Sequence, residues 1–109
     1  MATVYKVLGQ AAPSATTDTT LYTVPAATSA VTSTICIANR SAATATYRIA
    51  IRPAAASIAT THYIAYDSTI NGNDGILLTI GITLAATDVV TVRASTTDLT
   101  FNLFGSEIS

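Results

Sequence analysis

The feature that most constrains this chain is an alternation of apolar and small polar residues that returns along nearly its whole length. It is clearest in AVTSTICIAN, residues 30–39. Its two predicted faces hold Val31, Ser33, Ile35 and Ile37 on one side, and Thr32, Thr34, Cys36 and Ala38 on the other. A period of two residues is that of a β-strand, whose side chains point alternately to the two faces of a sheet. The 21 Thr, 11 Ile and 7 Val favour the same conformation, because β-branched side chains fit a pleated surface.

The same pattern predicts eight strands. They span residues 3–8, 20–24, 30–39, 44–52, 62–67, 75–84, 88–95 and 98–108. Gly81 predicts a bulge or bend in the sixth strand, and Gly105 predicts an interruption in the eighth. The fourth strand is predicted to point Ala45, Tyr47, Ile49 and Ile51 inward, and Thr44, Thr46, Arg48, Ala50 and Arg52 outward. Residues 53–61, PAAASIATT, predict a loop with one helical turn at most, because Ser and Thr compete with helix geometry.

These elements predict an all-β fold, a single antiparallel β-sandwich of about eight strands with jelly-roll or immunoglobulin-like topology. A length of 109 residues fits one domain over residues 1–109. Residues 1–19 are a candidate N-terminal arm, because the loose linker GQAAPSATTDT would let the first strand reach a neighbouring copy.

Charged residues are unusually rare, at 10% of the chain against roughly 25% in ordinary domains. With a net charge of −1, no field attracts the chain to nucleic acid or to an anionic membrane. So few charges protect a free monomer poorly, which predicts a surface covered by copies of the chain or by a partner. The longest apolar run, residues 76–86, is too short for a membrane span, and the N-terminus lacks the apolar segment of a signal peptide. The lone Cys36 excludes an intrachain disulfide, which suits folding in a reducing cytoplasm.

The residues needed for catalysis are nearly absent. There is one histidine, and the six acidic residues are scattered singly, five of them at turns, where aspartate bonds its own backbone. We therefore predict no enzymatic activity, no catalytic residues and no cofactor. His62 is predicted to be a solvent-edge residue at the start of a strand, with a pH-sensitive contact at a subunit interface as the alternative.

The stretch DSTINGNDG, residues 67–75, partly matches a calcium-binding loop. Counting from Asp67, an EF-type loop requires a bidentate Glu at its twelfth position, and this chain has Leu78 there. The candidate recognition loop consists of Asp67, Asn71, Asn73 and Asp74. A looser calcium site on these four residues is the alternative, but Asn, Asp and Gly are typical of an ordinary turn. The prediction is a connecting loop without a metal.

Three of the five basic residues lie within residues 40–52. Arg48 and Arg52 share the outward face of the predicted fourth strand, and Arg40 lies in the preceding turn. They form a candidate interface with an acidic partner surface; the alternative is solvent-facing charge that protects a strand edge from aggregation. Tyr63 and Tyr66, three residues apart on one strand, are predicted to point to opposite faces and thus to form no carbohydrate platform.

Most of the chain resembles a known group of proteins. The matching segments are LYTVPAATSAVTSTICIANRSAATATYRIAIRPA, HYIAYDSTI, LTIGITLAATDVVTVRAST and LTFNLFGSEI, which together run from Leu21 to Ile108. In their order these segments resemble small structural proteins of tailed bacteriophages, common among marine and cyanobacterial phages.

This resemblance implies a non-enzymatic component of a virion, synthesised in the host cytoplasm. The favoured placement is a capsid decoration or cement protein that stabilises the head through many contacts. The alternative is a tail, baseplate or fibre-associated component, including a host-binding one. The implied partners are other virion proteins, above all the major capsid protein, and copies of the chain in a homo-oligomer such as a trimer; nucleic acid and membrane are not among them.

Overall fold

Two antiparallel sheets pack face to face in the computed structural model, which describes residues 2–109. The strands are β1 (Thr3–Ala11), β2 (Thr19–Thr23), β3 (Ser29–Asn39), β4 (Ala45–Arg52), β5 (Tyr63–Ile70), β6 (Gly75–Leu78), β7 (Ile82–Leu84), β8 (Val89–Ala94) and β9 (Leu99–Ile108). Short 3₁₀ turns lie at Pro53–Ala55 and Thr60–His62, so the segment predicted as a loop with at most one helical turn has two such turns. The predicted all-β sandwich is confirmed.

Each sheet is built from strands that are distant in sequence. Sheet A has the order β1-β9-β3-β6, with β7 also paired to β3, and sheet B has the order β2-β8-β4-β5. The chain therefore changes sheet between β1 and β2, between β2 and β3, and again between β3 and β4. With β6 and β7 counted as one interrupted strand, this order is that of a jelly roll, whereas an immunoglobulin-like sandwich would pair the first two strands.

The predicted sixth strand is two strands. The ladder on β3 stops after Leu78 and resumes at Ile82, so Gly81 lies in a gap rather than inside a strand. The Thr32 hydroxyl fills this gap, donating to the Ile80 carbonyl at 2.9 Å and accepting from the Ile82 N–H at 3.2 Å. A buried side chain thus satisfies backbone groups that the ladder leaves unpaired. The eighth predicted strand, in contrast, runs unbroken through Gly105 as β9.

The core lies between the sheets and consists of aliphatic and aromatic side chains. Among its members are Val24, Ile35, Ile37, Ile49, Ile70, Val92, Leu99, Phe101 and Leu103. In β4, Ala45, Tyr47 and Ile49 are buried as predicted. Ala50 points outward but is also buried, because the segment that contains the two 3₁₀ turns packs against β4 and β8 on that face. Gly9 allows β1 to lie close against β2 of the other sheet, since a Cβ there would lie 2.0 Å from the Leu21 carbonyl oxygen.

Two β-bulges in sheet A change which side chains face the core. In β3 the pairing with β9 shifts between Thr32 and Thr34, and in β1 it shifts between Val7 and Gly9. A bulge adds one residue to one strand, so the alternation reverses across it. Thr32 is therefore buried on the same side as Ile35, and the prediction that Val31 and Ser33 share a face with Ile35 is wrong.

The N-terminal segment belongs to sheet A of its own chain. Residues 3–11 of the candidate arm pair with β9, and the Ala2 and Ser109 backbones exchange hydrogen bonds of 2.8 and 2.9 Å. Met1, the first residue of the predicted arm, lies outside the described residues. No helix in residues 2–109 is long and apolar enough to cross a membrane.

Candidate functional site

Two of the three arginines predicted as an interface, Arg48 and Arg52, lie on the outer face of sheet B, and the structure places Arg93 beside Arg48. Arg48 on β4 and Arg93 on β8 are directly opposite each other in the ladder. Like charges in this position repel. Asp67 on β5 compensates, because its carboxylate accepts from Arg48 Nε at 2.7 Å and from Arg48 Nη2 at 3.2 Å. Arg93 has a longer contact, 3.8 Å, with Asp18.

Asp67 reaches Arg48 through a bulge in β5. The register shifts so that Tyr66 and Asp67 together stand opposite Arg48, and Asp67 takes a positive φ of 48°. Short polar side chains tolerate this backbone region better than most. The prediction that the fifth strand ends at Asp67 is wrong, since β5 continues to Ile70, which is fully buried.

A second bulge in β5, at Ile64, brings two tyrosines together. Tyr63 and Tyr66 form an edge-to-face pair with ring centroids 4.8 Å apart, and the Arg48 guanidinium lies 4.0 Å from the centroid of Tyr66. The prediction that these tyrosines point to opposite faces is therefore wrong. A uniform strand would have separated them, but β5 gains an extra residue between them relative to β4. Tyr66 remains 57% exposed, so this cluster presents an aromatic surface to solvent.

The charges of the cluster hold one another ionised. The hydrogen bond from Arg48, helped by its charge and that of Arg93, lowers the pKa of Asp67. In return, the hydrogen bond to Asp67 raises the pKa of Arg48. An arginine stacked on an aromatic ring and clamped by a carboxylate is held in one orientation. Arg48 is thus pre-positioned on the surface.

The other two predicted arginines serve local structure. Arg52 donates to the Thr91 hydroxyl at 3.0 Å and to the Ala56 carbonyl at 2.9 Å, which fastens the first 3₁₀ turn to the sheet. Arg40 donates to the Thr97 carbonyl at 2.8 Å, in the loop before β9. Arg48 and Arg52 share the outer face of β4 as predicted, while Arg40 lies in the turn after β3.

The predicted recognition loop is divided by the structure. Asp67 lies in β5, whereas Asn71, Asn73 and Asp74 form the turn between β5 and β6. That turn packs on the β3–β4 turn, where the Asn73 N–H donates to the Ser41 carbonyl at 2.7 Å. Within the turn itself, the Asp74 carboxylate accepts a hydrogen bond from the N–H of the next residue, Gly75. Within residues 2–109, no three His, Cys, Asp or Glu side chains are grouped to hold a metal ion.

His62 stabilises the turn before β5. Its Nδ1 accepts a hydrogen bond from the Ala59 N–H at 3.1 Å. The side chain is therefore part of the second 3₁₀ turn, at the start of a strand as the sequence predicts.

The outer face of sheet A is a second candidate surface, and sequence reasoning missed it. Alternation from the observed register places on this face Thr3, Tyr5, Val7, Gln10, Ser29, Val31, Thr34, Cys36, Ala38, Leu77, Thr83, Thr100, Asn102, Phe104, Ser106 and Ile108. None of these residues carries a charge. The charges of sheet A, Lys6 and Glu107, are both on rows that face the other sheet.

Several large side chains on this face are open to solvent. Tyr5 is 84% exposed, Leu77 70%, Val7 46% and Val31 38%. We call this surface the uncharged face. Its signal in the sequence is that β3, β6 and β7 contain no charged residue at all, but only the register shows that the charges of β1 and β9 turn away from it.

The fold and these two surfaces define an antiparallel β-sandwich with a charged, aromatic cluster on one sheet and an uncharged face on the other. Comparison with protein-family models, with curated proteins and with solved structures gives no match for this chain.

Proposed function

We propose that this protein is a non-enzymatic structural component of a tailed-phage virion, a decoration or cement protein on the head. The observation that carries the proposal is the uncharged face, together with the sequence resemblance to phage structural proteins. Jelly-roll sandwiches recur in viral capsid proteins, which supports the proposal by analogy of fold.

The uncharged face is suited to permanent contact. Burying it against a partner removes Leu77, Val31 and Val7 from water without stripping solvent from any charged group. Its threonine, serine and asparagine side chains supply hydrogen bonds at the same surface. Exposed apolar patches of this kind mark interaction sites on soluble domains.

The mechanism would be mechanical. Many copies would bind the major capsid protein lattice, and contacts present only in the mature shell would stabilise that state by mass action. Each contact can be weak, because the copies act together on one lattice.

The proposal predicts that heads lacking this protein assemble but release their DNA at a lower temperature than complete heads. The measurement is DNA release on heating, with purified protein added back to the deficient heads. Leu77→Lys places a charge on the uncharged face and should fail to restore heat resistance. Ile64→Lys, at a 48% exposed aliphatic residue on β5 of sheet B, is the matched control and should restore it. Deficient heads as robust as complete ones would refute the cement role.

The Tyr63–Tyr66–Arg48 cluster favours a second candidate, a host-binding tail or fibre component. An exposed tyrosine beside a fixed guanidinium and carboxylate offers the stacking and hydrogen bonding that a surface glycan requires. In that case purified protein should bind host cells, and Tyr66→Ala should abolish the binding while Leu77→Lys leaves it unchanged. Counting copies in the intact particle by cryo-electron microscopy separates the candidates, since hundreds of copies indicate the head and a few tens or fewer the tail.

A further inference from the structure

The edges of the two sheets differ in how they are protected against pairing with another chain. Edge strands are usually blunted by bulges, interruptions, charges or shortness. The β5 edge has bulges and the Arg48–Asp67 pair, the β6–β7 edge is interrupted after Leu78, and β2 has only five residues. β1 is the exception, because residues 3–7 form a regular, exposed strand whose one charge is Lys6.

The direction of the free backbone groups follows from the ends of the chain. Ala2 and Ser109 exchange both backbone hydrogen bonds. In an antiparallel ladder every second residue bonds to the same neighbour, so Val4 and Lys6 also direct their N–H and C=O groups toward β9. The N–H and C=O groups of Thr3, Tyr5 and Val7 consequently point away from β9, to the open edge. Unpaired groups at a regular edge are a template for a further strand.

We infer that this edge is a two-fold dimer interface, in which β1 of one copy pairs antiparallel with β1 of a second copy centred on Tyr5. About that centre, Tyr5 faces the second copy's Tyr5, and Thr3 faces the second copy's Val7. Each facing pair exchanges both backbone hydrogen bonds, so every free group of the three residues gains a partner. An interface of this kind is isologous and closes at two subunits.

The side chains agree with a second copy as the occupant. Tyr5, the most exposed of the large hydrophobic side chains in the described residues, packs beside its symmetry mate on the uncharged face. On the opposite face, Lys6 stands across from the second copy's Val4, so no like charges meet, and its ammonium stays 3.3 Å from Glu107 of its own chain. The two A sheets join into one continuous sheet whose outer surface remains uncharged. This inference does not depend on the virion role, since it concerns the purified chain alone.

Cysteine cross-linking tests the register. In a Cys36→Ser background, Tyr5→Cys brings two thiols to opposite positions with Cα atoms about 5.5 Å apart, within disulfide range. We expect a covalent dimer on mild oxidation. Thr3→Cys is the matched control on the same face, because the two Thr3 positions are about 14 Å apart along the paired strands and should not cross-link. The double variant Thr3→Cys with Val7→Cys should cross-link.

Mass measurement tests the assembly itself. Light scattering should give twice the chain mass of 11.2 kDa for the unmodified protein. Tyr5→Pro removes an N–H that points to the open edge and leaves the β9 ladder intact, so it should give a folded monomer. If that variant fails to fold, the cysteine variants still decide. A monomer or trimer at all concentrations, or Thr3→Cys cross-linking as readily as Tyr5→Cys, would overturn the inference.

Discussion

At the scale of single residues, one polar cluster at the edge of the core joins both sheets. The Tyr22 hydroxyl on β2 donates to Glu107 Oε2 on β9 at 2.5 Å, and Lys6 Nζ lies 3.3 Å from Glu107 Oε1. The Tyr22 hydrogen bond, with the nearby Lys6 ammonium, lowers the pKa of Glu107. Burial, with the Glu107 carboxylate, raises the pKa of Tyr22. The ionised carboxylate and the neutral phenol therefore stabilise each other only in the folded protein.

These shifts predict a stability that falls at both ends of the pH range. A lowered carboxyl pKa contributes stability above its unfolded value of about 4.3, and that contribution is lost as pH falls through the folded pKa. A raised phenol pKa contributes stability below its unfolded value of about 10, and that contribution is lost as pH rises toward the folded pKa. The measurement is the free energy of unfolding in urea across this range.

Two variants separate these effects. Glu107→Gln should be less stable than the unmodified protein near neutral pH, and the difference should shrink as the pH falls below 4.3 or so, where the carboxylate protonates. Tyr22→Phe should lose the alkaline decline that the unmodified protein shows. A difference between Glu107→Gln and the unmodified protein that stays constant down to strongly acidic pH would contradict the assignment.

At the scale of elements, a threonine side chain allows β6 and β7 to separate. Thr32 is buried, yet its hydroxyl has two backbone partners, the Ile80 carbonyl and the Ile82 N–H. Buried polar groups are stable only when paired. The bulge at Ser33 is what turns Thr32 inward to make these bonds. The interruption between β6 and β7 therefore depends on the bulge in β3, which brings the Thr32 hydroxyl to the unpaired backbone groups.

The prediction at this scale concerns Thr32→Val, which keeps the shape of the side chain but removes the hydroxyl. The Ile80 and Ile82 backbone groups lose their partner, so the free energy of unfolding should fall by about 1–3 kcal/mol. Thr34→Val is the matched control on the outer face of the same strand and should change stability by less than about 0.5 kcal/mol. Equal effects of both variants would show that the gap is not held by the Thr32 hydroxyl.

At the scale of the whole molecule, charge is segregated between the two sheets. The outer face of sheet B has Arg48, Arg52, Arg93 and Asp67, while the uncharged face covers sheet A. Between them lies one apolar core, to which β9 contributes Leu99, Phe101 and Leu103 from the centre of sheet A. The molecule can therefore present two chemically different surfaces from a single rigid core.

Two phenylalanines of β9 test this division. Phe101→Ala empties a fully buried position and should lower the free energy of unfolding by about 3–5 kcal/mol. Phe104→Ala removes the same group from the half-buried outer face, where less contact is lost, and should cost clearly less. Chemical denaturation of both variants gives the comparison, and similar losses would place part of the core on the uncharged face.

The sequence by itself determined the fold class, the approximate strand positions and the scarcity of charge. These follow from local signals, since a two-residue period and β-branched side chains act within each strand whatever its neighbours are. It also placed Arg48 and Arg52 on one face, because β4 is regular between them.

Tertiary structure alone decided the strand order, the bulges and the contacts that depend on them. A bulge exists only relative to the strand beside it, so no pattern within β3 or β5 could show that Thr32 turns inward or that Tyr63 meets Tyr66. The contact of Tyr22 with Glu107 joins positions 85 residues apart. The uncharged face likewise appears only when register assigns Lys6 and Glu107 to the inner rows, because pairing between strands, not composition, decides which side of a sheet each residue occupies.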